Sequence, residues 1–409
     1  MMATRLFPLA GINNVVHDDQ LQQGGDNPKL FVRDAVNVDI SVTGRPSLRK
    51  SGEQVTTLNY KNLWQSSLHR DVFASLNNQV VKVNPDTWDY EVILDNVDTV
   101  IVCFELVNNA VFISTSDGIF IYTGGEKAQA LVIDTPAQPQ AGFTTGGMLY
   151  GGTYVIAISW LRGQIESGLS ESTKVMIANA IGSDQFDGSY AAIHVNLPYC
   201  LDGTVTGVRV YITTRNGAAL LHFADYPITD TTIVINDVDQ LGMTAKFEYL
   251  SPMPSGKIMR YWQGRLLCAD KNIIRFSQPM AYHLHDERHD FVMMPQRITF
   301  LVPVDGGLWV GQVDHVVFLS GSQPSDMRFV KKTSRPPVPN SAISLDAQQV
   351  GSEISQGGGK TALWLAENGY VLGTSSGQVI ELHAGIMKGI SAKSGTSVVL
   401  DRRIQTAVI

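Results

Sequence analysis

Short apolar strands separated by turn dipeptides recur along this chain too closely for helices to fit between them, and this rhythm constrains the fold most. One unit runs DVFASLNNQVVKVNPDTWDYEVIL, with turns at Asn77-Asn78 and Asn84-Pro85. A second runs TVIVCFELVNNAVFISTSDGIFIYTGG, with turns at Asn108-Asn109 and Asp117-Gly118. Three more lie beyond residue 252: MRYWQGRLLCADKNIIRFSQP, ITFLVPVDGGLWVGQVDHVVFLSGSQPSDMRFVKK and ALWLAENGYVLGTSSGQVIELHAG. β-Branched residues dominate the apolar runs, and Gly, Asn and Pro punctuate them, which is strand chemistry. The units recur over roughly 35–50 residues, the spacing of propeller blades. The expected fold is all-β: a β-propeller of five or six blades.

The stretch from Thr135 to about Leu241 has another texture. It contains GTYVIAISW, AAIHVNLP, TGVRVYITTRNGAALLHFADYP and TTIVINDVDQLG. Alternation at Val208, Val210 and Ile212, and again at Ile233 and Ile235, reads as half-buried antiparallel strands. About seven short strands over some 105 residues suit an immunoglobulin-like sandwich. Pro/Gly segments, TPAQPQAG and SPMPSGK, flank it as linkers would. The expected organisation is therefore 1–134 as the first part of the propeller, 135–252 as an inserted sandwich, and 253–409 as the rest. On this reading 135–252 folds alone, whereas 1–134 does not, because two blades cannot bury their faces.

Composition narrows the function classes. Hydrophobic residues make up 44% of the 409, enough for sizeable cores, while charged residues are only 17%, below the typical quarter. An uncharged polar surface suits a subunit that spends its life against neighbours. The net charge of −7 argues against tight non-specific DNA binding. Cys103, Cys200 and Cys268 are scattered and odd in number, which indicates neither a disulfide framework nor a zinc site. The opening MMATRLFPLAGINN lacks a secretory apolar core, and no apolar run approaches the ~20 residues of a membrane helix. The expectation is a soluble protein made in the cytoplasm.

Four patterns invite chemistry. QGGGKTALW, from Gln356 to Trp364, lacks the upstream glycine of a phosphate loop, because Ile354 holds that place, and a strand is expected to follow it. A flexible Gly loop is the better reading. YHLHDERHD carries His283, His285, His289, Asp286, Glu287 and Asp290. Imidazoles two apart on an extended segment can share a metal, but no distant ligand accompanies them. They are read as a solvated or interface loop, so removing all three costs at most ~0.5 kcal/mol each. Glu166, Ser170 and Glu171 read as turn polarity in a Gly/Ser-rich hairpin. VKKTSRPPVP, with Lys331, Lys332 and Arg335, reads either as a polyproline linker or as an arm clasping a neighbouring subunit. No catalytic residue, cofactor or metal is expected.

The guest's GTYVIAISW, GLSESTKV, VRVYITTRNG, LLHFADYP and DVDQLG resemble fibronectin type III-like modules of bacteriophage virion proteins. YWQGRLLCADKNIIRFSQPMAYHLHD and ITFLVPVDGGLWVGQVDHVVFLSGSQPSDM are similar to the propeller of short-tailed phage tail proteins. NVDISVTGRPSLRKSG resembles the start of tail nozzle (tail tubular B-like) and tail-stabilisation proteins. The resemblance implies a non-enzymatic virion subunit in a ring, a hexamer in this family. Such a ring extends the DNA-ejection channel below portal and adaptor proteins, carries tail fibres or spikes, and passes double-stranded DNA transiently without membrane insertion. Asp86, Asp95, Asp98 and Asp117, in blade turns, are the candidates to line an acidic lumen, and the His283 and Lys331 segments are candidate interfaces. The alternative is a carbohydrate-binding or carbohydrate-degrading propeller.

Overall fold

The computed structural model describes residues 8–409, apart from 25–27, 42, 50–51, 67–69, 183–187, 333–334, 352–358 and 401–402. The chain is all-β; its only described helical elements are two 3-10 turns and the four-residue turn Ala347–Val350. Five four-stranded antiparallel sheets organise it, each a meander whose own strands pair in chain order. The first holds Lys61–Gln65, Val72–Leu76, Gln79–Val83 and Tyr90–Leu94; the second holds Val102–Val107, Ala110–Thr115, Gly118–Tyr122 and Gln129–Ala130. The third comprises Ile258–Trp262, Arg265–Asp270, Ile273–Phe276 and Phe291–Met293. The fourth comprises Ile298–Val304, Gly307–Gln312, Val316–Ser320 and Arg328–Lys332, and the fifth Ile343–Asp346, Lys360–Ala366, Gly369–Gly373 and Val379–Glu381.

The turns explain the hairpins. Asn108 and Asn109 both take positive φ, 47° and 65°. A two-residue hairpin whose twist matches its strands needs that conformation, and asparagine tolerates it.

Side-chain alternation then stacks the sheets face to face. In Ala110–Thr115, Val111 and Ile113 pack with Phe73, Val80 and Phe104 towards the first sheet. Ala110 and Phe112 point the other way, onto Met259, Leu266 and Cys268 of the third. In Arg265–Asp270, Leu267 and Ala269 join Leu301, Leu308 and Val310 of the fourth sheet. Trp309 turns to the opposite face and meets Trp364 of the fifth at 5.4 Å between ring centroids. Successive residues on one strand thus serve different cores. Cys103 and Cys268 both belong to the seam between the second and third sheets, as small core residues.

That seam matters for organisation, because the chain from Ala130 to Ile258 separates its two sheets in sequence. Gly256 fixes it. Ser114 Oγ donates to the Gly256 carbonyl at 2.8 Å and accepts from its N–H at 3.0 Å. A Cβ at Gly256 would lie 2.9 Å from the Ala269 backbone, so no larger residue fits.

The intervening residues build two further sheets. Gln140–Leu149, Ala191–Asn196 and Thr232–Ile235 form one; Gly152–Arg162, Gly207–Ile212 and Leu221–Pro227, edged by Ile165–Glu166 and Thr173–Ile177, form the other. One core lies between them, including Ile156, Ile158, Trp160, Ile193, Val195 and Ile235, with Val208, Val210 and Ile212 pointing into it as the alternation requires. The chain returns to the stack at Ser251–Pro252, which pairs with Leu284–His285.

The ends of the chain meet. The hairpin Gly395–Leu400 with Arg403–Val408 packs on the fifth sheet, through Tyr370 Oη and Thr406 Oγ1 at 2.7 Å. Asn14, beside the small sheet of 9–32, bonds Lys388 through both its amide nitrogen and its amide oxygen at 2.9 Å.

Candidate functional site

Where the first four sheets present their first strands to one another, they leave a cavity of about 1210 Å³. Asn62, Val102, Ile258 and Thr299 of those strands line it, together with 336–340, 389–394 and Thr396. A contiguous pocket of about 280 Å³ lies against Trp64, Phe104 and Phe300. Its Arg260 is committed elsewhere, donating to the carbonyls of Met259 at 2.8 Å and Leu301 at 3.2 Å.

The cavity wall corrects the reading of VKKTSRPPVP as a linker or free arm. Lys331 and Lys332 belong to the last strand of the fourth sheet. Val338 donates to the Leu365 carbonyl at 2.8 Å, and Pro337 bridges Ala366. The prolines are held as wall because the fifth sheet takes up their backbone. Arg335 pairs with Glu367 at 3.2 Å.

The loop of histidines is also corrected. His285 is buried, and its Nδ1 donates to the Phe276 carbonyl, 3.2 Å away. His283 Nε2 lies 2.9 Å from the Glu166 carbonyl. Burial pushes both imidazoles below their ordinary range. Asp290 is buried too, bonded to Arg265 at 3.2 Å and to Gln278. Only Glu287, Arg288 and His289 of this turn are exposed. The segment is internal because 284–285 forms a strand pair with the chain returning from the guest, a contact invisible in the local sequence. No group of three or more metal-binding side chains occurs among the described residues.

Glu166 and Ser170 are not turn polarity. Glu166 is buried; Ser159 Oγ and Tyr211 Oη donate to its Oε1 at 2.7 and 2.6 Å, and Arg209 donates to Oε2 at 2.8 Å. Arg209 continues as a two-pronged pair to Asp225, 2.7 Å on each oxygen, and His222 reaches the same carboxylate at 3.0 Å. Desolvation and the Glu166 carboxylate drive the Tyr211 hydroxyl well above its usual range. The Arg209 guanidinium holds Asp225 below its own. Ser170 Oγ accepts from the Ile158 N–H at 3.0 Å, satisfying the strand between its pairings with 165–166 and 173–177. Glu171 is exposed, as read. The missed signal was Arg209 itself, a charge inside the apolar run GVRVYI.

That network lies wholly within the guest, and it is Arg162 that clamps the guest to the stack. Arg162 donates to the carbonyls of Ala130 at 2.6 Å and Val132 at 3.2 Å, and pairs with Asp202 at 2.7 Å. His283 supplies the second clasp. Sequence alone offered neither.

Asp86, Asp95, Asp98 and Asp117 are exposed turn residues of the first two sheets, and none lines the cavity. Asp117 accepts the Asp98 N–H at 2.6 Å and Asp95 accepts from Gln79 at 3.1 Å, so two of them order turns. Gln356–Gly358 lie outside the described residues. Gly359 donates to Asp305 at 2.7 Å and the strand Lys360–Ala366 follows, as expected. No helix among the described residues is long and apolar enough to cross a membrane.

No family profile matches the chain, and no curated protein matches it. Solved structures with some likeness include a gluconolactonase from Xanthomonas campestris, at 10% identity, covering 86% of this chain and 83% of that one, with a TM-score of 0.35. BBS1N, in complex with ARL6DN, is 10% identical over 85% of this chain and 89% of its own, with a TM-score of 0.32. The WD40 domain of SCAP from fission yeast is 8% identical over 86% and 72%, at 0.28. Likeness of this degree carries no statement about what the chain does.

Proposed function

We propose that the chain is a structural subunit of a short-tailed phage tail, of the nozzle or hub class, acting by contact and not by bond chemistry. The observation behind this reading is the interrupted stack: a separate sandwich leaves the chain between two sheets that still share one core and the Ser114–Gly256 bonds. That arrangement gives a rigid wall with a projecting module. The five meanders are read as propeller blades, with the hairpin 395–408 at the place of a sixth. The guest is read as fibronectin III-like. Leaving aside the two-residue Ile165–Glu166, its second strand pairs with the third and the fifth, the fifth with the sixth, and the first with the fourth, which are the C–C′, C–F, F–G and B–E neighbours of such sandwiches. Copies of the wall closing head-to-tail would form a ring, with portal or adaptor proteins on one side and fibres or spikes on the other. Net charge of −7 per copy disfavours trapping of passing DNA.

The test is microscopy and infectivity of virions made with and without the protein. Rings of it in tails, with DNA leakage or lost infectivity in its absence, support the reading. Fully infectious virions lacking it, or sub-micromolar duplex binding by the free subunit at physiological salt, contradict it.

A further inference from the structure

The central cavity has the wrong charge for the rest of the molecule. Over the whole chain 38 acidic residues outnumber 31 Lys and Arg. Lining the cavity, Lys257, Arg297 and Lys393 face a single acid, Glu367, which Arg335 already pairs. Lys257 leads into the first strand of the third sheet, Arg297 into that of the fourth, and Lys393 comes from the segment before the last hairpin. All three are exposed. None of their side chains makes an ion pair or hydrogen bond among the described residues. Arg260, by contrast, is held by two carbonyls and by Glu105 at 3.7 Å.

Cations gathered from three separate segments around one recess repel one another, and a recess with low-dielectric walls concentrates their field. Nothing in the fold requires charge there, since the backbones of 336–340 and 389–396 are satisfied by other contacts such as Ile390 N–H to the Glu367 carbonyl at 3.0 Å. Uncharged donors stand beside them: Asn340, whose amide reaches Ser394 Oγ at 3.1 Å, and Thr396. A volume of about 1210 Å³ slightly exceeds the ~300–1,000 Å³ of small-molecule sites.

We propose that this cavity is a binding site for a compact polyanion bearing several phosphoryl or carboxylate groups, held by Lys257, Arg297 and Lys393. Guanidinium and ammonium groups together suit such oxygen clusters, one by fork geometry and the other as a point charge. The proposal does not depend on the tail reading, because an anion could equally be a structural bolt at the centre of the stack or a ligand.

The experiment is isothermal titration of the full chain with sodium tripolyphosphate, with citrate as the polycarboxylate arm. The expected result is one site per chain, weakening as sodium chloride rises. Arg297→Ala and Lys257→Ala should each weaken it about tenfold, the loss of one charge-assisted bond, with unchanged melting in the absence of ligand because the residues are exposed. Lys331→Ala/Lys332→Ala, on the outer strand, should leave it unchanged. Preference for citrate or for tripolyphosphate tells which oxygen chemistry the site reads, and either upholds the proposal. No binding of either anion, or binding undiminished by the cavity variants, overturns it. A twelve-nucleotide single strand binding more tightly than both anions overturns it as well, since the cavity would then not select compact ligands.

Discussion

The stacked meanders and the inserted sandwich are both antiparallel β-structure, yet they bury themselves differently. The second, third and fourth meander sheets give alternate residues to two cores, one with each neighbour, and the first and fifth each share one core with a neighbouring sheet, so none of the five is stable by itself. The sandwich keeps one core between its own two sheets, and covers its outer face with Leu169, Tyr211 and Leu220 over the Glu166–Arg209–Asp225 network. The first kind of burial makes a sheet depend on its neighbours; the second makes a module that can be moved. This is why a chain can insert the second into the first without breaking either.

The largest effect expected from that difference is in fragments. Residues 1–134 should have no cooperative melt, because the second sheet loses Met259, Leu266 and Cys268 as partners, whereas 135–250 should melt cooperatively by circular dichroism. A folded 1–134 would break the comparison. Next is Trp309→Ala. The ring is fully buried, packs on Phe318 and Trp364, and its indole donates to the Thr374 carbonyl at 2.9 Å. Losing it should cost about 3–5 kcal/mol in chemical denaturation, with the sandwich transition unchanged.

Inside the sandwich, Glu166→Ala strands Tyr211 and Arg209 and should cost about 2 kcal/mol, short of a fully buried pair because Arg209 is partly solvated. Glu171→Ala, five residues on and exposed, should cost nothing measurable. A smaller effect than that of Glu166→Ala belongs to the junction. His283 and His285 have folded-state pKa values below the ordinary ~6.5 of the unfolded chain. The unfolded state therefore binds protons first, so stability is full above that value and falls as pH drops through it towards the depressed values. His283→Ala should cost about 1 kcal/mol and flatten the acid limb of the melting curve between pH 7 and 5. An unaltered limb would mean that His283 does not report on the junction.

The contrast also sorts what could be read from sequence. Three strands of most meanders were legible, because β-branched runs and asparagine turns are local signals. The remaining strands, Lys61–Gln65, Gln129–Ala130, Phe291–Met293 and Ile343–Asp346, are short or polar and owe their conformation to a paired neighbour. The sandwich core was legible at Val208, Val210 and Ile212 for the same local reason. Glu166 was not: its partners sit 43 and 45 residues away on Arg209 and Tyr211, brought in only by strand register. His285 and the Pro337–Val338 pair were misread as surface for a like cause, since each is buried by chain further off in sequence. The cationic cavity had no local signature, because Lys257, Arg297 and Lys393 are isolated residues until the sheets stack.

Deleting the guest tests the central claim most directly. Replacing 135–250 by a short Gly/Ser linker joins the second sheet to the third, whose contact through Ser114, Gly256 and the Phe112–Met259 core needs nothing from the sandwich. The account predicts a soluble chain with a single cooperative unfolding transition and hydrogen-exchange protection retained in 102–122 and 258–276. An unfolded or aggregated product, or loss of protection at that seam alone, would show that the sandwich holds the stack together and would contradict it.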